Sequence, residues 1–224
     1  MRENLVQTGK TEKDGRRFIE YDWHAGGIPP NVVLGENVYL DTSYGFEAFH
    51  SEREIGFRLG DASGVYNMAS FIVGQSGTVN VGSYTVLGGT FIICSDSVTI
   101  GNHCLLAWGS VVTDTWAGFE SALIEKRRDV LSFAATDAQR RLLPVDTPRP
   151  VVLEDNVWVG FDAVILPGVT LGRGCIVGCK TIVGDDVPPY AVVVGNPARL
   201  IRFLDGDDTE EARKNAFQEY LLSR

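Results

Sequence analysis

A six-residue period constrains this chain more than any other feature. Stepping by six from Leu153 gives Leu153, Val159, Ile165, Leu171, Val177 and Val183, all aliphatic. The residues one place on are Glu154, Gly160, Leu166, Gly172, Gly178 and Gly184, and the residues four places on are Val157, Ala163, Val169, Cys175, Thr181 and Val187. With about a third of residues aliphatic, six hits in a row arise by chance on the order of once in a thousand. Each hexad therefore reads as a short strand and a turn. The aliphatic residue points into a narrow core, the small residue fits the same core near a corner, and Gly eases the backbone where the chain bends. Three hexads close a triangular coil, and stacked coils pair their strands in parallel. A single coil cannot bury its face alone, so stacking supplies the stability.

The period recurs upstream with breaks. Ile100, Leu106 and Val112 are six apart, with Cys104 and Ser110 as small partners. Val81, Leu87 and Ile93 precede them, with one extra residue before Ile100. Val73 and Val79 form an earlier rung, and Leu34 and Leu40 the first. Between them, residues 42–58 break the period and read as a loop or irregular rung. The expected fold is all-β: a β-helix over residues 31–204, with an N-terminal extension (1–30), an insertion (115–150) and a C-terminal α-helix (205–224). A short helix is expected inside the insertion, where Leu123, Val130, Leu131 and Ala134 fall at roughly helical spacing. In the tail, Asp207 and Glu210 resemble a capping box, and Ala212, Ala216, Phe217, Tyr220 and Leu221 share one face.

Composition narrows the partners. The net charge of the 224-residue chain is 20 − 29 = −9, which makes phosphate backbones and anionic membranes poor default partners. Gly is frequent, but no G-x-y triplet runs through the chain, so collagen is excluded. No apolar run reaches membrane-spanning length, and the first residues lack the apolar stretch of a secretory signal. Cys94, Cys104, Cys175 and Cys179 are too few for a disulfide scaffold, so a cytoplasmic protein with reduced thiols is expected.

The stretch from Val151 to Phe203 resembles the hexapeptide-repeat acyltransferases, nearest the sugar, maltose and galactoside O-acetyltransferase type. The carrying motifs are Asn156–Gly160 (NVWVG), Leu166–Thr170 (LPGVT), Val187–Pro189 (VPP) and Gly195–Arg199 (GNPAR), with residues 98–114 matching the preceding coil. The resemblance implies a left-handed parallel β-helix, a homotrimer, and acetyl-CoA lying in the groove between subunits. It also implies a His that takes the proton from an acceptor hydroxyl, help typically worth ~10²–10⁴-fold.

At the position of that His this chain has Ala117, within Asp114-Thr115-Trp116-Ala117. A methyl group accepts no proton. The candidates left are Asp114, Trp116 and His103. His103 falls at an outward turn position and either faces the groove or is an ordinary exposed turn residue. Asp114 is either a weak base or a turn-capping carboxylate. His24 and His50 are the other two imidazoles. The mixed charges of the insertion (Glu125, Lys126, Arg127, Arg128, Asp129, Arg140, Arg141) are either a solvated helix face or acceptor contacts.

By the same resemblance Phe161, Cys179, Gly184 and Arg199 line the CoA groove. Relatives have Ser, Ala, Thr and Arg there, so three of the four differ. Arg199 and Arg202 would meet the phosphates, and Trp158 would wall the groove or pack against a neighbouring subunit. The expected activity is acetyl transfer from acetyl-CoA to a hydroxyl or amine of a sugar-type acceptor. The alternative is a catalytically inactive relative serving as a binding or assembly scaffold. A γ-class carbonic anhydrase needs three His on zinc, and the three scattered His here lack that spacing, so no metal site is expected.

Overall fold

The structure is a computed structural model that describes residues 8–9, 15–20, 22–116, 132, 147–204, 211, 218 and 222. The described part is a left-handed parallel β-helix of about six coils with three faces. The first face stacks β3 (Val32–Leu34), β5 (Phe57–Leu59), β8 (Thr78–Val81), β11 (Ser97–Ile100), β14 (Val151–Leu153) and β17 (Thr170–Leu171). The second face stacks β4 (Tyr39–Leu40), β6 (Gly64–Tyr66), β9 (Val86–Gly88), β12 (Leu105–Leu106), β15 (Trp158–Val159), β18 (Ile176–Val177) and β20 (Ala191–Val194). It ends in an antiparallel strand, β21 (Arg199–Phe203). The third face stacks β7 (Ser70–Val73), β10 (Phe91–Cys94), β13 (Val111–Thr113), β16 (Val164–Ile165) and β19 (Ile182–Val183). Before the first coil, β1 (Thr8–Gly9) and β2 (Phe18–Ile19) form a small antiparallel pair.

The hexad reading holds in detail through the last coils. All six members of the aliphatic series from Leu153 to Val183 are buried, as are all six small partners from Val157 to Val187. Ile100, Leu106 and Val112 are buried with Cys104 and Ser110. Fully burying one such aliphatic side chain is worth roughly 1.5–3 kcal/mol, and stacking repeats that gain coil after coil.

The glycines act differently from expectation. The left-handed turn residues are Asn156, Asp162, Gly168, Gly174 and Lys180, each just before a small inward residue. The Gly column serves close approach instead. A Cβ on Gly172 would lie 2.4 Å from the backbone N of Pro189, and one on Gly160 would lie 2.7 Å from the backbone N of Cys179.

The upstream register also needs correction. Ile92, not Ile93, points inward, because Ile92 pairs with Val112 above and Phe71 below. The corner between Leu87 and Ile92 is therefore one residue short, a tight turn that Gly89 makes with φ +60. A further full coil, not anticipated, lies directly after the break. Leu59, Val65 and Phe71 are six apart and buried, with Ser63 and Ala69 as small partners. The irregular rung itself is slightly shorter than 42–58, because β5 begins at Phe57. It holds a 3-10 helix (Ser43–Phe46) capped by the Thr42 side chain, and it ends before Phe57. Phe46, Phe57 and Phe71 pack mutually at ring-centroid distances of 4.5–5.4 Å and close the bottom of the core.

Of the expected insertion helix, only Ser132 is described, and it is helical. Leu123, Val130, Leu131 and Ala134 lie outside the described residues. In the tail, Glu211, Gln218 and Leu222 are helical, whereas Asp207, Glu210 and the expected apolar face lie outside the described residues.

Candidate active site

The outward side of the third face is a strip with rims. Its side chains form one cross-strand ladder, Ser70, Phe91, Val111, Val164 and Ile182, rising through successive coils. The corner between second and third faces makes one rim. There Trp108, Phe161 and Cys179 follow one another, since Asp162 N donates to Trp108 O at 3.0 Å and Lys180 N to Phe161 O at 2.7 Å. The Trp108 and Phe161 rings lie 6.0 Å apart, tilted. The corner between third and first faces makes the other rim, with Asp114 to Trp116, then Leu166, then Gly184. A Cβ on Gly184 would sit 3.6 Å from Leu166 Cδ1, an ordinary contact.

The GNPAR turn closes the upper end. Ile182 N donates to Gly195 O at 3.0 Å, and Ala198 N donates to Ile182 O at 2.9 Å. Gly195 N donates to the Thr181 hydroxyl at 3.1 Å. Gly195 takes φ +101, a region that favours glycine. The turn thereby continues the third face and brings Arg199 to the top of the strip. Among the described residues neither Arg199 nor Arg202 makes an ion pair, and both are exposed.

Four predicted residues therefore gather around the strip: Phe161 and Cys179 on one rim, Gly184 on the other, and Arg199 above. Trp158 and Arg202 do not join them. They belong to an outward ladder of the second face, running Leu105, Trp158, Ile176, Val192 and Arg202. His103 lies at the corner between first and second faces, opposite the strip. It is an exposed turn residue with φ 56, stacked on Tyr84 at 5.0 Å with planes 2° apart.

Asp114 is fully buried. Its carboxylate accepts the backbone N–H groups of Ser95 at 2.8 Å, Asp96 at 2.7 Å and Ser97 at 2.9 Å, and the Cys94 thiol at 3.5 Å. Burial raises its carboxyl above the usual carboxylate range, against the pull of those donors. In this chain the side chain fastens the turn of the coil below and is closed to solvent. Its backbone O accepts Arg149 N at 2.8 Å, so the insertion leaves after Trp116 and returns at Arg149 on the same rim. Trp116 is part-exposed there. Ala117 and the charged residues of the insertion lie outside the described residues.

Trp108 escaped the sequence reading. Its signal was available, because it stands two places after inward Leu106, as Phe161 follows Val159 and Cys179 follows Val177. His24 belongs to a tight cluster with Asp22, Ser43 and Glu47 on the first coil.

Residues 150–185 match the family model for the bacterial transferase hexapeptide (six repeats). A chloramphenicol acetyltransferase of Agrobacterium fabrum is 47% identical over 58 residues, 26% of this chain and 28% of that protein. The chain spans about a third of the length of the curated relatives it matches. A hexapeptide-repeat-containing acetyltransferase from Vibrio cholerae superposes with a TM-score of 0.54 at 26% identity, over 71% of this chain and 77% of the other. AntD, an N-acyltransferase from Bacillus cereus in complex with dTDP and coenzyme A, superposes with a TM-score of 0.57 over 86% and 92%. At 20% identity that likeness speaks for the fold alone. A maltose O-acetyltransferase from Clostridium difficile reaches 0.50 at 21% identity, over 66% and 69%. Repeat, coil stacking and relatives agree that the chain carries the hexapeptide repeat over residues 150–185 and resembles the acetyltransferases built on that repeat.

Proposed function

We propose that the chain transfers an acetyl group from acetyl-CoA to a hydroxyl or amine of a sugar-type acceptor. The observation carrying this reading is the rimmed strip of the third face, topped by the GNPAR turn and the exposed Arg199. A pantetheine arm is narrow, with methylene and gem-dimethyl segments between its two amides, and the ladder Phe91–Val111–Val164–Ile182 offers those segments an apolar floor. Backbone groups of the turning rims supply hydrogen-bond partners whatever the side chains, which is why Phe161, Cys179 and Gly184 are tolerable in place of the family's types. Arg199 supplies charge for a phosphate. AntD, which this chain resembles in fold, is described with coenzyme A and with a dTDP-amino sugar, and the sugar-type acceptor is proposed here by analogy with it.

Assembly follows from the second face. Leu105 and Trp158 stand exposed in one ladder, and we propose that this face meets a neighbouring subunit of a homotrimer. In such an assembly a groove forms between subunits, and His103 and Arg202 reach it from the partner's side. His103 is then the candidate base, Asp114 holds the rim in shape, and Trp116 walls the acceptor end. With its family His position held by Ala117 and Asp114 closed, the chain also fits a non-catalytic scaffold, and that is the second reading.

Calorimetric titration with acetyl-CoA, with CoA as control, separates the readings. Binding near one per subunit with micromolar affinity supports transfer, and an acceptor screen with His103→Ala then tests the base. No binding up to millimolar concentration overturns the acyltransferase reading in favour of the scaffold.

A further inference from the structure

We propose that the first coil carries a saccharide-stacking subsite, built from Trp23, Tyr44 and Glu47, which holds the far end of an extended neutral saccharide acceptor. This rests on the acyltransferase reading above.

The cluster is assembled by the N-terminal segment folding against the first coil. Asp22 acts as its latch. It accepts the Thr42 hydroxyl at 2.7 Å, Ser43 N at 2.8 Å and His24 N at 3.0 Å. The His24 ring is held on both sides. Nδ1 accepts Gly26 N at 3.2 Å, and Nε2 meets Glu47 Oε2 at 3.2 Å. Gly27 N in turn donates to Ser43 Oγ at 3.1 Å. His24 then stands edge-on to Tyr44 (5.4 Å, 85°) and to Trp23 (5.7 Å, 73°). The outcome is a fixed platform. Trp23 is 65% and Tyr44 39% exposed, with ring centroids 5.5 Å apart.

Trp23 packs on His24 and Tyr44 along one side and is otherwise open to solvent. Its electron-rich face suits the C–H face of a pyranose. The polar groups beside it are unengaged: Glu47 Oε1, Trp23 Nε1 and the Tyr44 hydroxyl have no partner among the described residues. The Glu47 side chain is 67% exposed. A carboxylate rim favours hydroxyl donors and repels phosphate, which selects a neutral sugar over a nucleotide. Preorganisation limits the ordering cost of binding.

Position sets the size of the acceptor. Tyr44 lies on the corner between second and third faces, the same rim that carries Met68, Gly88–Gly89, Trp108, Phe161 and Cys179 on the coils above. Coils rise by about 4.8 Å each, so the platform and Trp108 are roughly 14 Å apart, beyond the reach of one sugar ring. Between them the rim carries the exposed Met68 and then drops at Gly88 and Gly89, which have no side chains and over which Trp108 lies. A Cβ on Gly89 would be 3.2 Å from Trp108 Cδ1. A chain of several sugars could follow this rim with its reacting end beside the strip.

The test uses the full chain with maltotetraose, cellotetraose and chitotetraose, each beside its monosaccharide, read by calorimetry and saturation-transfer NMR. At least one tetrasaccharide is expected to bind about tenfold tighter than its monosaccharide. Trp23→Ala should weaken that tetrasaccharide about tenfold, leave the monosaccharide and acetyl-CoA affinities unchanged, and leave the thermal midpoint in place. Glu47→Gln should give a smaller loss in the same direction. Three results overturn the subsite: no tetrasaccharide bound by the wild type, equal binding by Trp23→Ala, or a change in sedimentation mass in Trp23→Ala, which would make Trp23 a subunit contact. Saccharide binding with no acetyl-CoA binding would instead sink the acyltransferase reading and leave the subsite in place.

Discussion

The top and the bottom of this β-helix solve the same packing problem in different ways. From Ile100 upward each hexad turns one aliphatic and one small residue inward, and coil stacks on coil of the same shape. Near the bottom, three phenylalanines from the 3-10 helix, β5 and β7 pack together in place of an aliphatic layer. The regular coils share their burial among many equivalent positions, whereas the bottom concentrates it in a few large ones. The bottom should therefore be the more fragile to single substitutions, and the upper coils more forgiving.

The largest contrast should come from Phe71→Ala, which removes a buried ring touching both Phe46 and Phe57 and should cost about 3–5 kcal/mol. Ile165→Val, equally buried in the regular region, should cost only about 0.5–1.5 kcal/mol. Urea denaturation of the two variants checks the ratio. Equal losses would mean that the bottom is no special layer.

Thiol chemistry separates core from rim next. Burial pushes Cys104 up to about 11 and Cys175 up to about 12, and Cys94 higher still, whereas Cys179 is exposed. A pKa raised by two to three units lowers the thiolate fraction by about 10²–10³. Native protein at pH 8 should thus give one fast thiol with Ellman's reagent, absent in Cys179→Ser, and three more on unfolding. If acetyl-CoA lies along the strip, it should slow that one fast reaction. Modification unaffected by saturating acetyl-CoA would move the donor away from this rim.

The glycine column gives a smaller, paired effect. Gly172→Ala drives a Cβ to 2.4 Å from backbone and should lower stability by about 1–3 kcal/mol, while Gly184→Ala meets nothing closer than 3.6 Å and should stay within about 0.5 kcal/mol of wild type. A large loss from Gly184→Ala would show that this glycine is needed for its backbone rather than for space.

The comparison also explains what could be read from the sequence. In coils 5 and 6 every edge is six residues long, so counting alone placed all twelve inward side chains from Leu153 to Val187. Lower down, counting failed where edge lengths change. Gly89 in its left-handed turn shortens one edge and shifts Ile92 into the place expected of Ile93. The second coil was readable from Leu59, Val65 and Phe71, but an aromatic in the series hid it. The strip was partly legible because GNPAR and the paired rims recur at fixed spacing. The Trp23 platform was not, because Asp22 and Thr42 come together only when the N-terminal segment docks across twenty residues. No period records that contact.

Two carboxylates, one at each end of the contrast, should titrate with opposite sign, and this is the smallest effect. Burial works to raise Asp22, but hydrogen bonds from Ser43, His24 and Thr42 outweigh it and hold its carboxyl below the usual range. Its ionised form therefore favours the fold above the unfolded pKa of about 3.9, and that contribution fades as pH falls through the lower folded value. At Asp114 burial wins, so the folded state holds its proton more tightly, and stability declines as pH rises from about 3.9 through the raised folded value. Melting curves from pH 3 to 7 should show Asp22→Asn losing part of the acid-side fall in stability. Asp114→Asn should be less stable throughout, since its amide brings donors among donors, yet lose the opposing slope. A shared slope change in both variants would mean that one network, not two separate ends, sets the acid response.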